Sequence, residues 1–256
     1  TVEEGVGFFK AVPSIRDITY GASPITGTLL RRAIDTLGAR FHQGYGMTES
    51  AGIVVFLTPE DHEAGLADRP DLLKSAGRPA PTIGLRIVDD AGMPVPTGDV
   101  GEIALSGPQV MCGYVDAPDV NAEAFFTDDD GARWFRTGDV GRLDEDGYLY
   151  VIDRKKDVII SGGENVSSRE VEDLLALHPD IVEAAVIGVP DAKWGELVTA
   201  VVVARPGAGL DEATVLAFGR ETIGGYQQPR RVELVDELPK NPSGKVLKHE
   251  LRARFA

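Results

Sequence analysis

The sequence predicts an α/β plus β fold: an α/β portion, then a small antiparallel β-barrel or sheet, then a compact α+β domain. Three observations support this class. They are a strand–helix–strand pattern near the N-terminus, a run of short strands separated by Asp- and Gly-rich turns, and a renewed α/β pattern after a charged break. We expect residues 1–155 to form one domain, with sheet and helix over 1–83 and the β-barrel over 84–155. Residues 156–256 then form a second domain.

The α/β portion begins with a strand over residues 18–20, and a polar turn follows at residues 21–24. A helix comes next, because Gly38 stops a run of apolar side chains at helical spacing, namely Ile25, Leu29, Leu30, Ala33, Ile34 and Leu37. A second strand over residues 40–43 leads into Gly44. This order indicates parallel sheet with ligand-binding loops at the strand ends.

The other two portions of the chain are also predicted from patterns of neighbouring residues. Short strands are predicted over residues 85–88, 101–105, 140–143 and 148–152. Beyond the charged break, Ser167 and Glu170 predict a capping box at the start of a helix. The pattern then predicts strands over 182–189 and 197–204, a helix from Asp211, a strand over 231–235 and a last helix. We place the domain boundary near Lys156.

Composition restricts the classes of partner. The chain has 256 residues, 43% of them hydrophobic, and a net charge of −15, which disfavours nucleic acid. Cys112 is the single cysteine, so an internal disulfide is excluded and a cytoplasmic location is expected. No apolar stretch approaches the length of a membrane span. The chain begins without Met, which indicates processing or a place within a longer chain.

Residues 45–50, Tyr-Gly-Met-Thr-Glu-Ser, are the first of four stretches that can carry chemistry. The ring of Tyr45 can stack on a purine, and the adjacent Thr48 and Glu49 suit a phosphate bridged by Mg²⁺. The glycines let a ligand approach the backbone. A helix start, capped by Thr48 and with Glu49 near the dipole, explains the same residues without a ligand.

The second stretch, residues 134–139, ends in Asp139, whose carboxylate at a strand start can accept both hydroxyls of a ribose. A hairpin turn is the alternative interpretation. The third stretch covers residues 150–165 and combines exposed charge with paired glycines. It indicates either a hinge with a backbone surface for a ligand, or an ordinary linker.

The fourth stretch, Ser243-Gly244-Lys245, is similar to the end of a phosphate-binding loop. The first glycine of such a loop would fall at Pro239, and Val246 follows the lysine, so a P-loop is excluded. Taken alone, these residues fit a polar turn before the last helix.

In this order, the four stretches resemble those of the adenylate-forming enzymes: acyl- and aryl-CoA synthetases, luciferases and adenylation domains of nonribosomal peptide synthetases. The resemblance covers residues 20–255, including the stretches 113–125 and 191–196. Residues 161–165, Ser-Gly-Gly-Glu-Asn, are most similar to a fatty-acid or aryl-acid CoA ligase. The resemblance implies the end of a large adenylate-binding domain followed by a mobile C-terminal lid domain.

The resemblance also implies roles in nucleotide binding. Tyr45 would stack on the purine, Asp139 would bind the ribose hydroxyls, and Arg154 would contact ribose or phosphate. Thr48 would touch the ATP phosphates, and Glu49 would hold Mg²⁺. The loop on the adenine side would consist of Gly21, Ala22 and Ser23.

Further implied roles concern catalysis, motion and the acid. Lys245 would be the adenylation lysine, whose ammonium bridges the carboxylate and the α-phosphate as charge develops. Lys156 would be the hinge, and Gly163 would line the tunnel for CoA. Largely small residues would shape the acyl pocket and favour a medium- or long-chain fatty acid over an aryl or alicyclic acid: Gly46, Met47, Ala51 and Gly52.

The implied chemistry has two steps. ATP, Mg²⁺ and the acid give acyl-AMP and pyrophosphate; the C-terminal domain then rotates, and the CoA thiol displaces AMP. No enzyme nucleophile is needed, so Cys112 and the four histidines are interpreted as structural. The expected partners are the acid, ATP and CoA, and a homo-oligomer is left open.

Two family features have no counterpart in this sequence: the Ser/Thr/Gly-rich phosphate loop and the aromatic or histidine site that receives the carboxylate. We therefore expect the chain to be the C-terminal portion of a longer enzyme and inactive alone. Gln227 also stands where a lysine is frequent. Three other functions remain open: an adenylation domain that loads a carrier protein, a luciferase-like oxygenase, and a nucleotide-binding module without turnover.

Overall fold

The computed structural model describes residues 14–21, 27–242 and 244–256. The chain divides into two compact units, Thr1–Val151 and Ile152–Ala256. Lys156, the expected boundary, lies inside the second unit, shortly after this division. None of the helices described is both long and apolar enough to span a membrane.

The first unit contains a four-stranded sheet with the order β1-β2-β3-β4. Its strands are β1 (Asp17–Gly21), β2 (Arg40–Met47), β3 (Gly52–Leu57) and β4 (Arg78–Pro79). Strands β1 and β2 are parallel and flank helix α1 (Gly27–Leu37) in the chain, as the strand–helix–strand pattern predicts. Strands β3 and β4 add in antiparallel fashion. Leu30 and Ala33 of α1 pack in one core cluster with Phe41 of β2.

Helix α1 ends where the sequence predicts. Gly38 adopts the left-handed conformation with a φ of +60°, and its N–H donates to Ile34 O at 2.9 Å. Ile25, which the pattern places on this helix, lies outside the described residues. The unit continues through a 3-10 turn (Thr48–Ser50), helix α2 (Pro59–Ala67) and a second 3-10 turn (Pro70–Lys74). Thr58 and Asp61 cap α2 reciprocally.

The β-rich part of the first unit is a five-stranded sheet with the order β5-β6-β8-β7, in which β9 also pairs with β8. Its strands are β5 (Gly84–Val88), β6 (Gly101–Ser106), β7 (Phe125–Thr127), β8 (Arg133–Leu143) and β9 (Leu149–Arg154). The last three residues of β9 belong to the second unit. Helix α3 (Pro118–Ala124) precedes β7. The pairings among the described residues give the antiparallel sheet that the sequence predicts, and they show no closed barrel.

Strand β8 is much longer than the predicted strand over residues 140–143. Gly138, with a φ of +72°, imitates a turn in the sequence, but the structure accommodates it as a bulge. Ile103 of β6 faces the three residues 137–139 of β8, because Glu102 pairs with Val140 and Ala104 pairs with Arg136. Asp139 therefore lies inside a strand and not at a strand start.

The second unit contains a five-stranded sheet with the order β11-β10-β13-β12, to which β14 adds parallel to β13. The strands are β10 (Ile159–Ser161), β11 (Glu164–Val166), β12 (Ile181–Asp191), β13 (Gly195–Ala204) and β14 (Arg231–Val235). Three helices complete the unit: α4 (Ser168–Leu175), α5 (Glu212–Thr222) and α6 (Lys248–Phe255).

Helices cover both faces of this sheet. Val186 of β12 belongs to the core cluster that contains Val171 of α4 and Val215 of α5. The next residue, Ile187, points to the opposite face and packs in the cluster that contains Leu251 of α6. Burial on both faces explains why the central strands are apolar almost throughout.

The helix starts follow the sequence closely. Asp211 caps α5 by accepting from the Thr214 N–H at 2.8 Å. Ser167 caps α4 by accepting from the Glu170 N–H at 3.2 Å. The Glu170 carboxylate, which a full capping box would direct back to the cap, accepts instead from Gln227 Nε2 at 2.7 Å.

Candidate active site

In the first unit, two of the residues expected to bind the nucleotide are in contact with each other. The hydroxyl of Tyr45, on β2, donates to Oδ2 of Asp139, on β8, at 2.8 Å. The Tyr45 ring packs beside a core cluster that includes Val55 and Leu149, so both ends of this side chain are held. The pair unites the first and second stretches, which lie 94 residues apart.

The bulge of β8 fixes Asp139 from its own backbone. Thr137 Oγ1 donates to Ile103 O at 2.8 Å and accepts from the Asp139 N–H at 3.1 Å. Glu102 accepts from the Gly138 N–H at 3.2 Å. Asp139 is only 8% exposed, so its carboxylate is placed by β6 and β8 and does not move freely.

The glycines at the end of β2 allow close packing against the neighbouring strand. A Cβ at Gly46 would overlap the carbonyl of Gly52 on β3, and a Cβ at Gly44 would collide with the side chain of Ile53. A Cβ at Gly21 would overlap the carbonyl of Gly44. Close strand contact therefore requires a residue without a Cβ at these positions. The approach of a ligand to the backbone near Gly46 stays a prediction.

Ser50, which the sequence does not single out, builds the turn that carries Thr48 and Glu49. Its buried hydroxyl accepts from the Met47 N–H at 3.0 Å and donates to Gly52 O at 2.8 Å. The turn ends at Ala51, a non-glycine residue with a φ of +54°. Thr48 is the first residue of the 3-10 turn and does not act as its cap.

Tyr114 is a further residue at this site that sequence reasoning missed. Its hydroxyl donates to Oε1 of Glu49 at 3.0 Å, and the Met111 N–H donates to Glu49 O at 2.8 Å. Partial burial, together with the bond to Glu49, raises the pKa of Tyr114. The signal in the sequence was limited to the family-like stretch that starts at Gly113 and Tyr114.

The donor set at Glu49 fits Mg²⁺ bound with a nucleotide. Within the described part of the chain, no three His, Cys, Asp or Glu residues are grouped to hold a metal ion. Mg²⁺ keeps several waters and takes only one or two protein carboxylates when phosphates supply the other oxygens. The single carboxylate of Glu49 meets that requirement.

The other expected residues of this unit have simpler surroundings. Gly46, Ala51 and Gly52 are exposed and Met47 is half-buried, so these four residues lie at the surface of the first unit. Ala22 and Ser23 lie outside the described residues. Cys112 is exposed, which differs from the apolar packing expected for it.

The second unit gathers the third and fourth stretches around one cavity of about 210 Å³. Arg154, Lys156 and Lys245 all line it. The remaining lining residues are Asp157, Val246, Leu247, Lys248, His249 and Arg252. Five of these nine side chains are Lys or Arg and one is Asp, so the cavity is positive in a chain of net charge −15. Such a cavity suits phosphate.

Asn241 organises the turn that presents Lys245. Its side-chain Oδ1 accepts from the Lys245 N–H at 2.8 Å, and its carbonyl accepts from the Gly244 N–H at 2.9 Å. Its own N–H donates to Lys245 O at 2.9 Å. Gly244 has a φ of +83°, while Ser243 lies outside the described residues. The polar turn is confirmed, and Asn241 is the residue that the sequence reasoning overlooked.

The segment around Lys156 is held at both sides. Asp153 and Asp157 are buried, whereas Arg154 and Lys156 are exposed between them. Asp157 Oδ1 lies 2.7 Å from an Nη atom of Arg252 on α6. The Asp157 N–H donates to Arg154 O at 2.8 Å, which closes a turn. Lys156 is therefore at the tip of a braced turn.

Gly163 lies in a two-residue hairpin turn between β10 and β11. Gly162 and Gly163 have φ values of +63° and +87°, and Ser161 pairs with Glu164 across the turn. The Gly162 N–H donates to Trp194 O at 2.7 Å. A Cβ at Gly163 would meet no atom within 4 Å, so this glycine borders open space.

The comparisons with known proteins agree with these motifs. Residues 4–115 match the family described as AMP-binding enzyme, and residues 170–245 match its C-terminal domain. The chain belongs to the adenylate-forming AMP-binding enzymes, which its motifs resemble. This confirms the family and the fold class that the sequence predicts.

Similar proteins differ in their acids and acceptors. The chain is 41% identical over 253 residues to a fatty acid–[acyl-carrier-protein] ligase of Streptomyces coeruleorubidus, covering 99% of this chain and 47% of the relative. It is 45% identical to a feruloyl-CoA synthase of an Amycolatopsis species, covering 94% and 47%. The o-succinylbenzoate CoA synthetase of Bacillus subtilis, solved with an acyl-adenylate, is 36% identical with a TM-score of 0.81, covering 93% and 46%. The chain spans about half the length of the curated relatives it matches.

Proposed function

We propose that this chain is part of a longer enzyme that activates a carboxylic acid with ATP and transfers the acyl group to the thiol of CoA. The observation that carries the proposal is the convergence of Arg154 and Lys245, 91 positions apart in the sequence, on one positive cavity. A cavity lined mainly by Lys and Arg attracts anionic ligands. ATP and acyl-AMP provide such phosphates.

In the first unit, Asp139 would receive the ribose hydroxyls. A carboxylate has about four lone-pair positions, so Asp139 can accept from a ribose while it holds the Tyr45 hydroxyl. The Tyr45 ring, oriented by that bond, would offer its face to the purine. Gly21, at the end of β1 beside Gly44, would border the adenine together with Ala22 and Ser23.

A hydroxyl, a metal ion and a guanidinium are the groups that we expect to contact the phosphates. Thr48, exposed at the start of its 3-10 turn, would donate its hydroxyl to a phosphate oxygen. Mg²⁺ bound through Glu49 would supply neutralising charge to the phosphates. Arg154 would contact ribose or phosphate from the second unit.

Lys245 would supply transition-state stabilisation. As the acid's carboxylate attacks the α-phosphorus, negative charge develops on the oxygens between the two groups. The Lys245 ammonium would bridge these oxygens. Because Asn241 already fixes the turn, placing the lysine there would cost little conformational entropy. Pyrophosphate leaves, and acyl-AMP remains.

The second reaction would require the second unit to rotate. With Lys156 as the hinge, Lys245 would leave and the hairpin that contains Gly163 would approach the adenylate. The open space beside Gly163 supports a place for the pantetheine arm of CoA. The CoA thiol then attacks the acyl carbon, and AMP departs with the bonding electrons.

For the acid, we propose a medium- or long-chain fatty acid. The exposed Gly46, Ala51 and Gly52 carry little or no side chain, and Met47 is flexible, which leaves room for an alkyl chain. The name of the Streptomyces relative also points to a fatty acid. That same name makes a carrier protein the second candidate acceptor.

The test uses the whole protein in which this chain occurs, purified and incubated with ATP, Mg²⁺, CoA and a panel of carboxylic acids. Mass spectrometry should find acyl-AMP and acyl-CoA from fatty acids. Acyl-AMP without acyl-CoA, converted on addition of a carrier protein, would select the second acceptor. Nucleotide binding without either product would contradict the proposal and favour a binding module. Residues 1–256 alone should release no pyrophosphate.

A further inference from the structure

The first turn of helix α6 carries a cation, Lys248, as well as an acid, Glu250. Lys248 is its first residue, His249 is the second, and Leu247 offers no side-chain cap. A cation in the first turn opposes the helix dipole. A tertiary contact that uses the charge of Lys248 would offset this cost.

Lys248 finds that contact on α4. Its Nζ lies 2.7 Å from Oε1 of Glu172 and donates to Oγ of Ser168 at 2.6 Å. Only 14% of the Lys248 side chain is exposed. Glu172 Oε1 also accepts from the Val186 N–H at 2.7 Å. The ion pair is thus largely buried and hydrogen-bonded, the situation in which loss of one partner is costly.

The same contact extends to the segment before Lys156. Ser168 donates both its hydroxyl and its N–H to Asp153 Oδ2, each at 2.7 Å. The other oxygen of Asp153 accepts from the Arg154 N–H at 2.7 Å. A continuous polar chain therefore joins Lys248, Ser168, Asp153 and Arg154 within the second unit.

We infer that Lys248 is a positioning residue for Lys245, an inference that rests on the adenylation role proposed for Lys245. Lys248 follows Lys245 by three positions, at the exit of the turn that Asn241 organises. The Leu247 N–H donates to Pro239 O at 2.8 Å, so the turn and the helix start form one unit of backbone. By anchoring the helix start to α4, Lys248 fixes where the Lys245 ammonium is presented.

Lys248→Met tests this in the whole protein, because methionine is also unbranched, is only one atom shorter than lysine and carries no charge. We expect acyl-AMP formation to slow by about 10- to 100-fold, since a shift of about 1 Å in a catalytic group has an effect of that size. Thioester formation from supplied acyl-AMP should stay within about twofold, because it does not use Lys245. Lys248→Arg, which keeps the charge and several donors, should restore adenylation to within about threefold of the wild type.

Lys240→Met is the matched control. Lys240 lies on the other side of the same turn and pairs with Glu183 at 2.5 Å, but both side chains are 37% exposed. Exposed ion pairs contribute little, so this variant should retain both half-reactions. A slower adenylation in Lys248→Met but not in Lys240→Met supports a positioning role beyond general loss of an ion pair.

Equal loss of both half-reactions in Lys248→Met, or unchanged adenylation, overturns the inference. If Lys248→Met does not fold, Glu172→Gln decides the question, because glutamine preserves the acceptor for Val186 and removes only the charge. A selective fall in adenylation then supports the inference, and an equal or absent effect rejects it. Wild-type protein that makes no acyl-AMP from any acid rejects the proposed function itself, so the two failures are distinguishable.

Discussion

The two units present their candidate ligand groups in different ways. In the first unit, Asp139 is nearly buried within β8, and both Thr137 and Tyr45 bond to it. In the second unit, Lys156 and Lys245 are exposed at the tips of turns. The contacts that hold these turns in place involve neighbouring residues, such as the ion pair of Asp157 with Arg252.

This difference corresponds to the two tasks that we propose. A nucleoside must be held through both reactions, so its ligands benefit from being fixed before binding. Lys245 must act in the first reaction and be absent from the second, so it belongs on a part that moves as one piece. A lysine exposed on a turn that neighbouring contacts hold in place can extend its side chain to a ligand while its backbone stays fixed.

The largest expected effect is that of Lys245→Ala. Removing the ammonium should slow acyl-AMP formation by at least about 100- to 1,000-fold, the size of effect seen when one transition-state donor is lost. Thioester formation from supplied acyl-AMP should remain within about threefold of the wild type. Both rates are measured by mass spectrometry of rapid-quench samples. Equal losses in the two half-reactions would contradict the proposed role.

Asp139→Ala should affect both half-reactions, in contrast to Lys245→Ala. A hydrogen bond to a charged group contributes about 1.5–3 kcal/mol, so the KM for ATP should rise by about 10- to 100-fold. Thioester formation from acyl-AMP should weaken to a similar degree, because acyl-AMP carries the same ribose. The measurement is the KM of each nucleotide substrate in its own half-reaction.

Tyr45→Phe provides the matched comparison for Asp139→Ala. It deletes only the hydroxyl that donates to Asp139 and keeps the ring. The KM for ATP should rise by only about two- to fivefold, because the Asp139 carboxylate stays in place to accept the ribose hydroxyls. A change as large as that of Asp139→Ala would mean that the hydroxyl, and not the ribose contact, accounts for the effect.

Tyr114→Phe should have a smaller effect that is specific to Mg²⁺. Without the Tyr114 hydroxyl, the Glu49 carboxylate loses the donor that orients it. The Mg²⁺ concentration for half-maximal adenylation should rise by about two- to fivefold. The rate at saturating Mg²⁺ should be unchanged. A fall that persists at saturation would show that Tyr114 acts on something other than Glu49.

The smallest effect concerns the stability of the first unit. His62 is buried, with Nδ1 2.7 Å from Thr58 O and Nε2 2.9 Å from the Tyr20 hydroxyl. Burial lowers the pKa of His62, against a smaller opposing effect of the Thr58 carbonyl and the Asp61 charge; His42 adds to the lowering. The unfolded chain therefore binds more protons than the folded chain, and stability is lost as the pH falls through the ordinary histidine pKa of about 6.5.

For this group the slope is at most about 1.4 kcal/mol per pH unit. Urea unfolding of the whole protein at about pH 5.5 and about pH 7.5 should show the loss, and His62→Gln should reduce it. His249→Gln, an exposed histidine in the second unit, serves as the control and should leave the difference unchanged. The same pH difference in His62→Gln as in the wild type would contradict the assignment.

Local patterns were sufficient for much of the fold. Strand β14 has the predicted bounds. Asp211 caps the start of a helix and Gly38 ends one, each at the predicted position. The bulge that holds Asp139 could not be predicted, because it depends on the register between β6 and β8. A glycine within a strand gives the same local signal as a glycine in a turn.

The candidate site shows the same limit. Motifs in order pointed to Tyr45, Asp139, Arg154 and Lys245, and their roles remain predictions. Neither Tyr114 nor Lys248 belongs to a local pattern that sets it apart. Tyr114 contacts a residue 65 positions away, and Lys248 contacts one 80 positions away. Such partners become visible only when tertiary structure brings distant segments together.

The most direct test of this division of labour is thioester formation from supplied acyl-AMP and CoA by the wild-type whole protein, Lys245→Ala and Asp139→Ala. We predict that Lys245→Ala retains the rate within about threefold, while Asp139→Ala requires about 10- to 100-fold more acyl-AMP. Equal behaviour of the two variants would contradict the account, because the fixed groups of the first unit and the exposed lysine of the second would then serve the same step.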